Sequence, residues 1–281
     1  MKVRLKTVTK ILILVCFIGL SLLLYPTVSN YLNEKHSTKA ISAYVEEMEN
    51  VDEEQSKKAW ENAVQYNKDL ANQDTKFALS DEMNSRYWEN LDITGTGVMG
   101  YIEIPKLDVA LPIYHGTSDS VLQRAIGHIE WTSLPVGGES THCVISGHRG
   151  LPSAKLFTDL DELREGDTFE LVVLGTTLTY EVDQIRTVLP NEVDELLIAD
   201  GKDYCTLVTC TPYGINTHRL LVRGHRIENI SSEVRVVSEA VMIDKLIVAL
   251  FVALPILFVL LMAVMLKKPE KKPEKKSENN A

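Results

Sequence analysis

YCTLVTCTPYGINTHRLLVRGHR, Tyr204 to Arg226, reads as two strands around a turn. Side chains alternate faces along a strand, so Cys205, Leu207 and Thr209 share one side and Thr206, Val208 and Cys210 the other. The two cysteines therefore point apart, which disfavours a disulfide between them. Thr211-Pro212-Tyr213-Gly214 forms the turn. An antiparallel return through Thr211–His218 places Arg219 near Cys210, where a guanidinium lowers a thiol pKa and stabilises an oxyanion. The plainer alternative is an arginine on an exposed strand face. Cys210 sits where a strand meets a loop, a common place for a reactive group on a rigid base. Cys205 reads as a core residue.

Upstream, Ser146-Gly147-His148-Arg149-Gly150 ends another apolar run, Thr141–Ser146. His148 lies between two glycines and can reach an open cleft, and cysteine acyl transfer needs such a base or acid partner. His142 and Cys143, within the run, read as structural. Further strands are expected over Tyr101–Ile104, Val109–Tyr114, Thr168–Leu174, Leu178–Arg186, Tyr204–Thr209 and Arg219–His225. Short helices are expected over Leu122–Ile126 and Lys155–Leu163. Many short strands punctuated by Gly and Pro indicate a mainly β sandwich or closed barrel. No Gly or Pro occurs from Thr27 to Thr94, so that stretch reads as helix, broken at Asp52-Glu53-Glu54. Ile41, Val45 and Met48, then Trp60, Ala63, Asn67 and Leu70, give each half one face.

The 281 residues are 45% hydrophobic and 24% charged, which excludes a disordered chain. The net charge of −10 argues against nucleic acid. Four cysteines without a CxxC pair make neither a disulfide scaffold nor a zinc module. Two uncharged apolar blocks bracket the chain, Ile11–Tyr25 and Leu246–Leu266. The second is long enough to span a bilayer, and its Pro255 is tolerable there. The first lacks a convincing cleavage site and reads as an uncleaved anchor rather than a signal peptide. Basic tails at 1–10 and 267–281 flank a middle, residues 26–245, of net charge −17. Both tails are therefore expected inside and the middle outside, a two-pass cell-membrane protein with an extracytoplasmic domain.

TLVTCTPYGINTHRLLVRGHR (Thr206–Arg226), SGHRG and GYIEIPKLDVALPIYHGTS (Gly100–Ser118) together resemble the sortases. With two membrane segments and a helical arm, the chain is most similar to class C, pilin-assembling sortases of Gram-positive bacteria. The resemblance implies an eight-stranded sortase β-barrel at 95–230. Before it come a basic tail at 1–10, a transmembrane segment at 11–25 and a helical arm with a lid region at 26–94. After it come a linker at 231–245, a transmembrane helix at 246–266 and a lysine-rich tail at 267–281. It implies Cys210 as nucleophile, His148 as general acid/base and Arg219 as oxyanion or substrate stabiliser. Thr209 and Thr211 are implied to bind substrate. The expected partners are pilins or surface proteins with LPxTG-like sorting signals. Acyl transfer to a pilin lysine conserves bond energy, so neither cofactor nor metal is expected.

Class C sortases usually carry an Asp-Pro-aromatic lid, and this chain departs from that pattern. It has no proline between Pro26 and Pro105, and Asp81-Glu82-Met83 is the nearest candidate. Residues 75–94 are therefore expected to be helical or mobile, leaving Cys210 open, with a lid built on Trp88 as the alternative. Two other functions compete. A housekeeping-type sortase attaching proteins to peptidoglycan usually lacks a C-terminal membrane segment. A non-catalytic membrane-tethered pilin adaptor would need neither Cys210 nor Arg219.

Overall fold

β-Branched and aromatic residues at alternate positions, closed by Gly- and Pro-containing turns, make eight strands from residue 98 onward. The computed structural model describes residues 2–73 and 75–229. The expected linker at 231–245, membrane segment at 246–266 and tail at 267–281 lie outside the described residues.

The strands are β1 (Val98–Ile104), β2 (Val109–His115), β3 (Ile126–His128), β4 (Thr141–Ser146), β5 (Thr168–Val173), β6 (Thr176–Val188), β7 (Asp203–Thr211) and β8 (His218–Arg226). They close into a barrel in the order β1-β2-β3-β4-β7-β8-β6-β5. Closure leaves no unpaired edge. Only β2–β3 and β4–β7 are parallel. Inward residues Ile102, Ile113, Cys143, Ile145, Phe169, Leu171, Cys205, Leu207 and Val222 form the core.

Among the described residues four α-helices accompany the barrel: α1 (Lys2–Asn50), α2 (Glu53–Ala71), α3 (Asp81–Glu89) and the short α4 (Asp119–Leu122). The break between α1 and α2 falls at the acidic stretch. Ile41 and Tyr44 of α1 pack on Val98 and Tyr101, with Val45 and Met48 beside them. Tyr44 donates to Met99 O at 3.2 Å and accepts from Leu174 N at 2.8 Å. Asn67 of α2 donates to Leu134 O and accepts from Leu134 N, at 3.0 and 2.7 Å. A side-chain amide thus pairs with buried backbone as a strand neighbour would. Residues 13–25 of α1 are largely exposed, and α1 contains a stretch long and apolar enough to cross a membrane.

Two local expectations are corrected. The expected helix at Leu122–Ile126 is instead the end of α4 followed by β3. Within Lys155–Leu163 only a 3-10 turn, Leu160–Glu162, forms. Ile126 is buried under the barrel and recruited as a strand by its neighbours on both sides.

Candidate active site

Cys210 and Arg219 are direct cross-strand partners on β7 and β8. The β4–β7 ladder is parallel and in register, with Ser146 opposite Val208. Gly147 continues that ladder: its N–H donates to Val208 O at 3.0 Å, and Thr209 Oγ1 donates to its carbonyl at 2.7 Å. His148 therefore follows at the level of Cys210. Three neighbouring strands, β4, β7 and β8, bring His148, Cys210 and Arg219 together at one end of the barrel. All three are partly exposed.

Strand parity sets which way they face. Val144, Val208 and Leu221 occupy the outer face of β4, β7 and β8, where they form an apolar cluster with Leu196. Cys210 shares parity with Val208, and Arg219 with Leu221. Ile129, Trp131, Val188 and Val193 border the cluster. The result is an apolar track on the outer wall that ends at the thiol.

Backbone contacts fix the candidate positions. Phe157 N donates to His148 O at 3.1 Å, and Gly150 N to Thr158 Oγ1 at 3.2 Å. Residue 147 has to be glycine, because a Cβ there would lie 2.7 Å from the Phe157 ring and 2.8 Å from Ile126. Arg219 Nη1 donates to His218 O at 3.1 Å and Asn216 O at 3.3 Å, which holds the guanidinium at the turn.

Arg149 was not singled out by sequence reasoning, although it lies in the SGHRG run. Its guanidinium pairs with Asp161 at 2.5 Å, donates to Thr211 Oγ1 at 3.3 Å and sits over the Tyr213 ring. It ties the ends of β4 and β7 to the loop that follows β4. The available signal was a cation beside a candidate base at a strand end. His142 plays a similar part along the track. Leu197 O can only accept, so Nδ1 carries the proton at 2.9 Å and Nε2 accepts from Thr206 Oγ1 at 2.7 Å. Burial pushes this imidazole below its usual pKa.

Of the implied substrate contacts Thr209 needs correction, and the alternative of a lid on Asp81, Met83 and Trp88 gives way to the helix expected there. Thr209 is buried, and its hydroxyl braces β4 to β7 instead of facing the track, because its parity is that of Leu207. Thr211 is half-buried at the site and held by Arg149. Residues 81–89 are helical, with Ser80 capping by accepting from Met83 N. Met83 is packed in the core with Tyr66, Leu70 and Tyr87 and is not a plug. Asp81 is an exposed first-turn residue of α3. Trp88 is 47% exposed and stacks on His115 of β2, with ring centroids 5.7 Å apart.

A family profile described as the sortase domain matches residues 102–227. The fold resembles sortase C1 of Streptococcus agalactiae, 53% identical, covering 68% of this chain and 99% of that one, TM-score 0.66. It also resembles a sortase C of Clostridium perfringens solved with the C-terminal cell wall sorting motif. That chain is 49% identical, with 68% and 99% coverage and a TM-score of 0.61. For the sortase C of Streptococcus pneumoniae the identity is 45%, coverage 68% and 97%, and TM-score 0.62. Among curated relatives, Sortase D of Bacillus subtilis is 30% identical over 46% of this chain. The match spans 63% of that relative's own length. By profile, fold and sequence identity over nearly the full length of these solved structures, the chain belongs to the sortase family, with class C sortases as its structural neighbours.

Proposed function

We propose that this protein is a cysteine transpeptidase that cleaves LPxTG-like sorting signals and joins pilin subunits. The Cys210 thiolate attacks the Thr carbonyl of the Thr–Gly bond. The Arg219 guanidinium, held at the turn, donates to the oxyanion that develops. His148 protonates the departing Gly amine, which leaves a thioester on Cys210. A lysine amine of the next pilin then attacks the thioester, His148 takes its proton, and the thiolate is regenerated. The observation that carries this reading is the side-by-side placement of His148, Cys210 and Arg219 across β4, β7 and β8. The apolar track ending at Cys210 suits the Leu and Pro of such a signal. Pilin rather than cell-wall transfer is supported by the class C neighbours, of which the Streptococcus pneumoniae enzyme is described in terms of pilin substrate specificity.

The chain works from the outer face of the cell membrane. Ile11–Tyr25 anchors it within α1, Leu246–Leu266 crosses a second time, and the basic tails stay inside. Residues 26–245 are then open to protease on protoplasts, while the lysine-rich tail is protected; tail cleavage from outside overturns the two-pass topology. The reaction is tested by incubating the full chain in detergent with an LPxTG-type peptide and measuring intact mass. An adduct on Cys210 that a pilin lysine discharges faster than a cell-wall peptide amine is expected. Faster discharge by the wall amine favours the housekeeping reading. No adduct at all leaves the adaptor reading.

A further inference from the structure

The described residues hold a pair of thiols that the reaction does not use. Cys143 on β4 and Cys205 on β7 are register partners in the parallel ladder. Both point into the barrel and both are fully enclosed, at 2% and 0% exposure. The two thiols influence each other's ionisation, and the His128 imidazole lies near enough to Cys143 to act on it as well. Neighbouring strands lie about 4.8 Å apart. That is inside the range of about 4.4–6.8 Å that the Cα atoms of a disulfide span. Both cysteines are free in this structure.

We propose that Cys143 and Cys205 are a redox site that closes into an internal disulfide stapling β4 to β7. Each lies five residues before an active-site residue, Cys143 before His148 and Cys205 before Cys210. The bond therefore pins the register of the two strands that present the base and the nucleophile. The groups facing the pair are consistent with an ordered reaction. His128 bonds the Tyr87 hydroxyl at 3.1 Å and Ser133 O at 2.8 Å, and Tyr180 donates to Asp203 at 3.0 Å. Burial opposes ionisation of both thiols. The neighbouring Cys205 and His128 nevertheless draw Cys143 below its ordinary value, while Cys205 is pushed up. Cys143 is thus the attacking sulfur.

With a peroxide as oxidant, the Cys143 thiolate attacks one oxygen and expels hydroxide, giving a sulfenic acid. The Cys205 sulfur then displaces the second hydroxide. Two thiols and hydrogen peroxide become one disulfide and two waters, two electrons passing from sulfur to oxygen. With a disulfide reagent the same bond forms by two exchanges that release two thiols.

The inference is independent of the substrate proposed above, and its test needs no turnover. The full chain with Cys210→Ala, in detergent, is treated with stoichiometric hydrogen peroxide. A second sample is refolded from denaturant with oxidised glutathione, so that burial cannot shield the pair. Both are alkylated under denaturing conditions, digested and weighed. A peptide joined through Cys143 and Cys205, split by reductant, is expected in at least one sample. Its formation should raise the unfolding midpoint by about 5 °C or more. Cys143→Ala and Cys205→Ala should each abolish both effects. Quantitative alkylation of both cysteines after both treatments, or sulfinic acid on Cys143 without a link, overturns the proposal.

Discussion

Cys205 and Cys210 are five residues apart on one strand, yet they occupy opposite sides of the barrel wall. Cys205 faces inward among Leu207, Phe169 and Tyr180, where burial disfavours a thiolate. Cys210 faces outward at the end of an apolar track, opposite Arg219 and level with His148. One residue type therefore has two roles, decided by parity and by the neighbouring strands. The barrel interior encloses one thiol in the core, while the outer wall at one end presents the candidate nucleophile.

The comparison breaks most completely if Cys210→Ala keeps its activity. Loss of acyl-enzyme and a fall in turnover of about 10⁴-fold or more are expected, with Cys205→Ala retaining adduct formation. Peptide turnover followed by mass spectrometry measures both. Next is Arg219→Lys, which keeps the charge but loses the planar donor set. A drop of about 10²–10³ in kcat is expected. A lysine variant within a fewfold of the parent would show that Arg219 acts through charge alone.

Arg149→Leu tests whether the outer-wall site depends on the clamp across Asp161 and Thr211. About a tenfold loss in kcat with an unchanged fold by circular dichroism is expected. The fourth test concerns pH. The folded pKa of His142 lies below its unfolded value of about 6.5. Its contribution is present above that value and is lost as pH falls through the folded pKa. His115, also lowered by burial, acts with the same sign. Unfolding midpoints should thus decline below about pH 6.5, and His142→Gln should flatten part of that slope, by roughly a few degrees. The smallest expected effect is on access. Met83→Ala costs about 2–4 kcal/mol as a core truncation, but thiol labelling of Cys210 should stay within a fewfold, as in Trp88→Ala. A tenfold gain in labelling would reveal a working lid.

Most of the outer-wall site was legible because it rests on local periodicity. Alternation along Tyr204–Cys210 and a turn to Arg219 suffice to pair the two, and the SGHRG run supplies His148. The helical arm was legible for the same reason, since Ile41, Met48, Ala63 and Leu70 repeat at helical spacing. What escaped depends on partners distant in sequence. β3 is three residues long, too short for any period, and exists because β2 and β4 flank it. Thr209 follows the inward parity of its strand, but its role as a brace needs Gly147, 62 positions away. Arg149 becomes a clamp only once Asp161 and Thr211 are brought beside it.

The junction of α1 with the barrel fixes where the barrel stands relative to the apolar part of α1. Ser29 donates to Ser153 O at 3.2 Å, and Asn30 accepts from Lys155 N at 2.6 Å. Ser29 lies four residues past Tyr25, about 6 Å along a helix. Residues 153 and 155 belong to the loop that leaves the His148 end of β4. Under the anchoring proposed above, through Ile11–Tyr25, a domain held this way has no leash: it would stand on the lipid surface with the His148 end of the barrel turned toward the headgroups. Encounters are then confined to a thin layer above the bilayer. Under the proposed reaction, a substrate still held in the membrane by its own tail would present its cleavage site within that layer, whereas one released into the medium would be missed.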